Sequence, residues 1–341
     1  MKNKVYIITN ESFSIDINKN FCCDNIDLKS IPENFKEFSE VNIIGRLSEK
    51  ARSKKIELKE IKLSKNIFSY LFELHKSFKE KNIKYLIISL SPYTFLASLL
   101  LKIFFKKHFI YLRSDGFEEY KAIIGKVGIL FYYLIFRIGI VNSKLIACRK
   151  HLLKEKDGLI VSPSQLKKKW FENVTVPKLS EVKFLYVGRV RVEKGIFSLI
   201  DILRNTNFSL TIVTSEKDQK LNKNYDNVKI ISFENYNDAI IKFYDEHSIF
   251  ILPSFTEAHP QVLDEALARC RPVIIFKDIE HVKRDREGVF VCNRDLKSLE
   301  KTVNYIKINY TKIQKKISNN KLPTQKNFIN ELKMFLFKDE Y

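Results

Sequence analysis

The sequence predicts an α/β protein built as two units of similar size, each a mostly parallel sheet with helices on both faces. Three observations lead there. Short apolar runs alternate with helical stretches along both halves of the chain, the pattern of strand–helix–strand units. The alternation lapses between Ser162 and Glu181, where two prolines and a lysine run show no clear period. The length, 341 residues, suits two domains.

In the first half, Val5–Thr9 and Val41–Gly45 read as buried strands. Ile56–Ile61 alternates apolar and charged residues, as a half-buried strand does. Ile67–Lys79 has helical spacing through Phe68, Leu71, Phe72, Leu74 and Phe78. Tyr85–Ser89 is a strand, Tyr93–Phe105 a helix, and Phe109–Leu112 a strand running into Arg113-Ser114-Asp115-Gly116. Glu119–Ile140 reads as one long helical stretch, Leu145–Ala147 as a strand and Arg149–Glu155 as a short helix.

After the break the alternation restarts. Val182–Val187, Ser209–Thr214, Val228–Phe233, Ile249–Leu252 and Val273–Phe276 read as strands. Gly195–Arg204, Asn237–Glu246, Gln261–Arg269, Leu296–Tyr310 and Gln325–Phe337 read as helices. The expected domains are residues 1–170 and 171–322, with a last helix in 323–341 packing back on the first domain. Ligands of such sheets bind beyond the carboxyl ends of the strands. Two sheets facing each other are expected to form a cleft.

Composition narrows the function classes. Hydrophobic residues make up 45% and charged residues 29%, with only 9 Gly and 8 Pro, which excludes collagen-like and low-complexity chains. The net charge of +20 favours anionic partners: nucleic acid, lipid headgroups or phosphorylated substrates. The chain has no zinc-ligand spacing, basic heptad region or aromatic RNA-binding signature, so no nucleic-acid partner is expected. Five cysteines occur, none in C-x-x-C, which reads as reduced thiols in a cytosolic compartment. The first apolar run, Val5–Ile8, is too short for a signal peptide. The longest uncharged apolar run, Val127–Phe136, falls short of the roughly 20 residues that cross a bilayer.

Three segments carry candidate chemistry. In Phe184–Gly195 a buried strand runs into Gly188-Arg189, and Lys194-Gly195 opens the next helix. Gly188 permits a sharp turn or a close approach to a ligand. Arg189 and Lys194 then sit where a strand ends and a helix begins, a place that favours phosphate. In Ile251–Ala268 another strand ends in a loop holding Glu257, Ala258, His259 and Pro260, with Pro260 suited to a helix start and Glu265 inside the helix. Carboxylates accept sugar and ribose hydroxyls. Backbone N–H groups from Ala258 through Gln261 and Val262 can hold a phosphate. His259 alone reads more as a structural hydrogen-bonder than as a base. Arg271-Pro272-Val273-Ile274 returns the chain as a buried strand.

Taken in order, Gly188-Arg189…Lys194-Gly195, Pro253-Ser254…Glu257…Glu265-Ala266 and Pro272-Val273-Ile274 resemble the donor domain of retaining GT-B glycosyltransferases, glycosyltransferase family four. The resemblance spans about residues 182–292. It implies a GT-B fold of two Rossmann-like domains facing across a cleft. It implies transfer of a sugar from a nucleotide diphosphate to an acceptor hydroxyl with retention, without metal or cofactor. Arg189 and Lys194 would bind the diphosphate, Glu257 the donor sugar and Glu265 the ribose. Thr214–Lys217 and Phe233–Asn235 would flank the base, with UDP slightly preferred over GDP. The expected acceptor is a bacterial surface glycan or lipid-linked glycan. Epimerisation and an inactive membrane-associated scaffold are the alternatives.

The chain departs from the family pattern in places. Ala258 stands where the family often has Gly, and Cys270-Arg271 where it commonly has Gly near the helix end. Asn10-Glu11-Ser12-Phe13 replaces the usual glycine-rich loop after the first strand, which makes Asn10 an acceptor-side candidate. Asp115 is expected to accept a hydroxyl proton or orient a sugar. Arg113 is expected to pair with Asp115 or to reach a phosphate.

Phe95–His108 and Lys121–Arg137 mix bulky apolar residues with lysine and arginine. Such helices either form a core or lie on an anionic membrane surface. With the net charge, peripheral association with the inner face of the cytoplasmic membrane is expected.

Overall fold

The computed structural model describes residues 3–58, 60–175, 179, 181–214, 226–232, 239–257 and 259–338. The chain divides into two compact units. One runs to Ser162 and includes the chain from Lys326 onward; the other is Pro163–Gln325.

The first unit contains β1 (Asn3–Ile15), β2 (Phe21–Cys23), α1 (Ile26–Phe35), β3 (Ser39–Leu47), β4 (Lys54–Ile56) and β5 (Lys62–Ser64). It continues with α2 (Ile67–Lys76), β6 (Ile83–Ile88), α3 (Pro92–Ile103), β7 (His108–Leu112), α4 (Gly116–Ile124), α5 (Lys126–Gly139), β8 (Ser143–Ala147) and β9 (Gly158–Ile160). Parallel strands run in the order β5-β3-β1-β6-β7-β8-β9, and β2 and β4 extend the far end of β1 antiparallel. Alternation along the strands sorts the core into two faces. Val5, Ile7, Leu86 and Ile88 point to one, where α1 packs through Leu28, Ile31 and Phe35. Tyr6, Ile8, Tyr85 and Ile87 point to the other, covered by α2, α3 and α5.

The second unit contains β10 (Lys183–Val187), α6 (Ile196–Leu203), β11 (Ser209–Thr214), β12 (Val228–Ser232), α7 (Ile240–Glu246) and β13 (Ile249–Leu252). It ends with α8 (Gln261–Ala268), β14 (Val273–Phe276), β15 (Val289–Cys292) and α9 (Leu296–Ile317). Every pairing is parallel, in the order β12-β11-β10-β13-β14-β15. This is the doubly wound order, and its direction reverses between β10 and β13.

Several expectations are corrected. The first strand does not stop at Thr9: β1 continues through a register shift between Ile8 and Ser12, so Asn10 lies in a strand irregularity rather than a loop. Ile56–Ile61 is not one strand. β4 pairs with β2 and β5 pairs with β3, and one straight strand cannot serve both. The stretch Glu119–Ile140 breaks into α4 and α5 at Gly125, whose φ of +69° a side chain would disfavour. Arg149–Glu155 holds only a 3-10 turn, Lys150–Leu153, ended by left-handed Lys154. The sequence reading passed over α1, which contains Pro32, and the short strands β2, β9 and β15.

The change of unit falls at Ser162–Pro163, not after residue 170. Two buried arginines explain why. Arg269 donates to the carbonyls of Trp170, Glu172 and Asn173 at 3.1, 2.8 and 3.0 Å, and Arg271 to that of Thr175 at 2.9 Å. Asp245 pairs with both guanidinium groups. The proline- and lysine-rich segment is therefore fastened to the second unit. Between these arginines Cys270 adopts φ +55°, the left-handed conformation in which glycine commonly ends a helix.

The last helix, α10 (Gln325–Leu336), returns to the first unit, where Phe328, Ile329, Leu332 and Leu336 enter the core beside α1. Phe328 is fully buried. Phe328→Ala should destabilise that unit by about 3–5 kcal/mol, read as a lower urea midpoint. An unchanged midpoint would show that α10 contributes nothing to the core.

Candidate functional site

The reversal of strand order places two loops side by side at the carboxyl ends of β10 and β13. These are the loops that carry the sequence motifs, Gly188–Gly195 and Pro253–Pro260.

After β10, the Gly188 N–H still donates to the Val213 carbonyl at 3.0 Å. The Tyr186 hydroxyl donates to the Arg189 carbonyl at 2.8 Å, fixing the point where the chain leaves the sheet. The Arg189 side chain is exposed, and among the described residues no carboxylate pairs with it. A 3-10 turn, Val192–Lys194, leads to Gly195. Gly195 has φ +65°, and a Cβ there would lie 1.9 Å from the Pro253 carbonyl oxygen. Only glycine permits this contact. The Phe255 N–H donates to the Glu193 carbonyl at 3.0 Å, tying the loops together.

This proximity brings the charged groups together. Lys194 Nζ lies 2.6 Å from Glu257 Oε1, which also accepts from the Ser254 hydroxyl at 2.7 Å. The two charged side chains are 21% and 11% exposed, so solvent screens the pair only partly. The Glu257 carbonyl accepts from His281 Nε2 at 2.8 Å. Arg294 donates to the carbonyls of Pro253 and Ser254 at 2.9 and 3.3 Å and pairs with Asp278 at 2.7 Å. Its guanidinium lies 4.1 Å from the Phe255 ring centre and 4.4 Å from that of Phe276.

Pro260 is the N-cap of α8, one position before the helix proper, and no side chain caps the start. Gln261 and Val262 thus begin a helix end able to receive an anion. The His259 ring is nearly buried: Arg284 donates to its Nδ1 at 3.2 Å, and Nε2 faces Asp264 at 3.6 Å. Asp264 in turn holds Arg286 through both oxygens, at 2.7 and 3.0 Å. Glu265 is partly buried on α8, and its Oε2 accepts from the Tyr244 hydroxyl at 2.6 Å. Burial pushes its carboxyl up to about 7; the Tyr244 hydrogen bond opposes this and Asp264 adds to it. Thr214 is buried at the end of β11. Ala258, Phe233 and the segments 215–217 and 233–235 lie outside the described residues.

The first-unit candidates hold internal partners. Asp115 caps α4, accepting from the Phe117 N–H at 2.9 Å, and its second oxygen lies 3.0 Å from Lys154 Nζ. The expected pair of Arg113 with Asp115 is not formed: Arg113 pairs with Asp27 at 2.8 Å. Asn10 accepts from Arg46 at 3.4 Å. Sequence reasoning missed Tyr244, His281 and Arg294, which reach the site from distant segments and carry no local signal. Ser254 stood in the quoted motif without a role. Among the described residues, no group of three or more His, Cys, Asp or Glu is placed to hold a metal ion.

Comparison with known proteins bears on this geometry. Residues 151–322, half of the chain, match the family described as glycosyl transferases group 1. No curated protein matches the chain in sequence. Among solved structures, Anabaena HepE in complex with UDP and glucose is similar at a TM-score of 0.65 and 12% identity, over 97% of this chain and 98% of that one. WaaG, a glycosyltransferase involved in lipopolysaccharide biosynthesis, is similar at 0.65 and 13%, over 97% and 99%. A putative UDP-N-acetylglucosamine 2-epimerase from Listeria monocytogenes is similar at 0.58 and 12%, over 100% and 97%. The strand orders above and these likenesses give a two-unit parallel α/β fold matching GT-B glycosyltransferase structures. The chain belongs to the glycosyl transferases group 1 family.

Proposed function

We propose that this glycosyltransferase is a retaining, metal-independent enzyme of the family-four type that transfers a sugar from a UDP-sugar to an acceptor hydroxyl. The observation that supports this most is the meeting of Lys194 and Glu257 where the strand order reverses, with Arg189 exposed on the same loop as Lys194. Arg189, whose exposed side chain has no carboxylate partner among the described residues, receives the diphosphate. Lys194 exchanges its contact with Glu257 for the phosphates, and Glu257 turns to the donor sugar. The backbone N–H groups of Gln261 and Val262 at the start of α8 add donors, and Glu265 accepts the ribose hydroxyls.

In the reaction the acceptor oxygen bonds to the anomeric carbon. The bond from that carbon to the phosphate oxygen breaks, and the acceptor proton leaves with the diphosphate. Fixed cations oppose the charge that develops there, which is electrostatic catalysis without a metal. Asp115 has internal partners on both oxygens, so we assign it, with Arg113 and Asn10, to shaping the acceptor side rather than to proton transfer. HepE in complex with UDP supports UDP as the nucleotide. The likeness to WaaG supports a surface glycan or lipid-linked acceptor. A second reading, nucleotide-sugar epimerisation, is favoured by the fold likeness to the putative epimerase.

A transfer assay with UDP-sugars and GDP-sugars tests the proposal. The expected result is UDP release that requires an acceptor, persists in chelator and falls about a hundredfold in Arg189→Ala. Arg189→Ala is the cleaner variant, because removing Lys194 leaves the Glu257 carboxylate without its counter-charge. Interconversion of a UDP-sugar without transfer would favour the epimerase, and wild-type turnover in Arg189→Ala would refute the phosphate assignment.

The Glu265 carboxyl gives a pH signature. A free glutamate ionises near 4.5 and this one near 7. Between these values the folded chain holds the extra proton, so stability falls as pH rises. Glu265→Gln should remove that slope in denaturation curves taken across the interval. Nucleotide affinity should run the other way, rising as the carboxylate forms. Parallel slopes for both chains would contradict the assignment.

A further inference from the structure

The helical layer over one face of the first unit's sheet is apolar on its outer side as well as its inner side. Along α5, Tyr132, Ile135 and Phe136 enter the core. Gly128 and Gly139 are buried as well, and the outward positions include Val127 at 70% exposure, Leu130 at 62% and Leu134 at 51%. Ile123 and Ile124 at the end of α4 and Phe105 beyond α3 are also exposed. The helices are firmly seated: Phe117 of α4 meets Tyr132 of α5 edge-on and Tyr120 stacks on it, with ring centres 4.9 and 5.4 Å apart. The outer face therefore belongs to a rigid, packed pair of helices.

Chain-wide composition does not account for this. α10 covers the opposite face of the same sheet, and among its described residues Met334 is the one large apolar side chain that is exposed. Elsewhere the exposed apolar side chains of a helix are few, such as Phe68 and Phe72 on α2 and Tyr305 and Ile308 on α9, whereas α4 and α5 expose a longer run. A contiguous apolar exterior marks an interaction surface.

The charges around the patch choose the occupant. Lys121, Lys126 and Arg137 lie on α4 and α5, and Lys107 follows α3; all are exposed. Glu118 and Glu119 of α4 are exposed too, and Glu118 pairs with Lys121, which leaves Lys107, Lys126 and Arg137 against Glu119 and the face positive. A second copy of the chain would bring this net positive charge against its own kind, whereas an anionic bilayer would complement it. α5 spans 14 residues, and among the described residues no helix is long and apolar enough to cross a membrane. The geometry is that of a helix lying in the interface. We propose that the outer face of α4 and α5 docks the enzyme on an anionic lipid surface. This rests on exposure and charge alone and is independent of the donor chemistry.

Cosedimentation of the full chain with phosphatidylcholine vesicles, with and without phosphatidylglycerol, tests it. The chain should bind the anionic vesicles, less tightly as salt increases. Leu130→Gln and Leu134→Gln keep good helix formers at exposed positions. Each should lower partitioning about tenfold, the loss of one inserted leucine, while the thermal melt stays unchanged. Lys126→Glu should weaken binding and flatten the salt dependence. No binding to either vesicle, or binding unaffected by both leucine variants, would overturn the proposal. So would a lipid-free dimer that the leucine variants dissociate, because the face would then belong to a second copy.

Discussion

The second unit depends on one close contact, the Gly195 backbone against the Pro253 carbonyl. It lets the loop after β10 and the loop after β13 share the space above the point where the strand order reverses. With any side chain there, one loop would have to move by more than the slack a packed interior allows. The cross-loop bond from Phe255 to Glu193 and the Lys194–Glu257 pair both follow from that contact. Lys194 of one motif and Glu257 of the other are thus paired across the two loops.

Around this contact the unit is braced from the outside. Arg294, held by Asp278 and stacked against two aromatic rings, fixes the carbonyls of Pro253 and Ser254. On the far side of α8, Arg269 and Arg271 clamp the chain's entry segment through its carbonyls. Buried guanidinium groups need their donors satisfied, and irregular backbone with free carbonyls meets that need. The same exchange explains why the segment at 168–175 keeps an ordered path with only one 3-10 turn. Preorganisation of this kind holds the loop backbone in place while the Lys194 and Glu257 side chains exchange partners.

The sequence was most legible where one short pattern decides the structure. β13 and β14 follow from uninterrupted apolar runs, and the motif residues from glycine, proline and charge at strand ends. It was least legible where the outcome depends on a distant partner. Nothing near Arg113 indicates that Asp27 is its counter-ion, and nothing near Glu265 points to Tyr244. Ile56–Ile61 looked like a single strand because alternation does not say which neighbour a strand will pair with. Gly125 was visible, but its left-handed backbone within an apolar stretch was not. The apolar segments of α3 to α5 had two readings, core or surface, and the structure places side chains of the same helices in both.

The central claim is that the Gly195–Pro253 contact assembles a nucleotide-diphosphate site. Titration of UDP into wild-type chain and Gly195→Ala by calorimetry tests it most directly, with circular dichroism to compare the folds. The account predicts that wild-type chain binds UDP and that the variant, with its sheet and helix content retained, binds at least tenfold more weakly. Equal affinity for UDP in the two chains would contradict it.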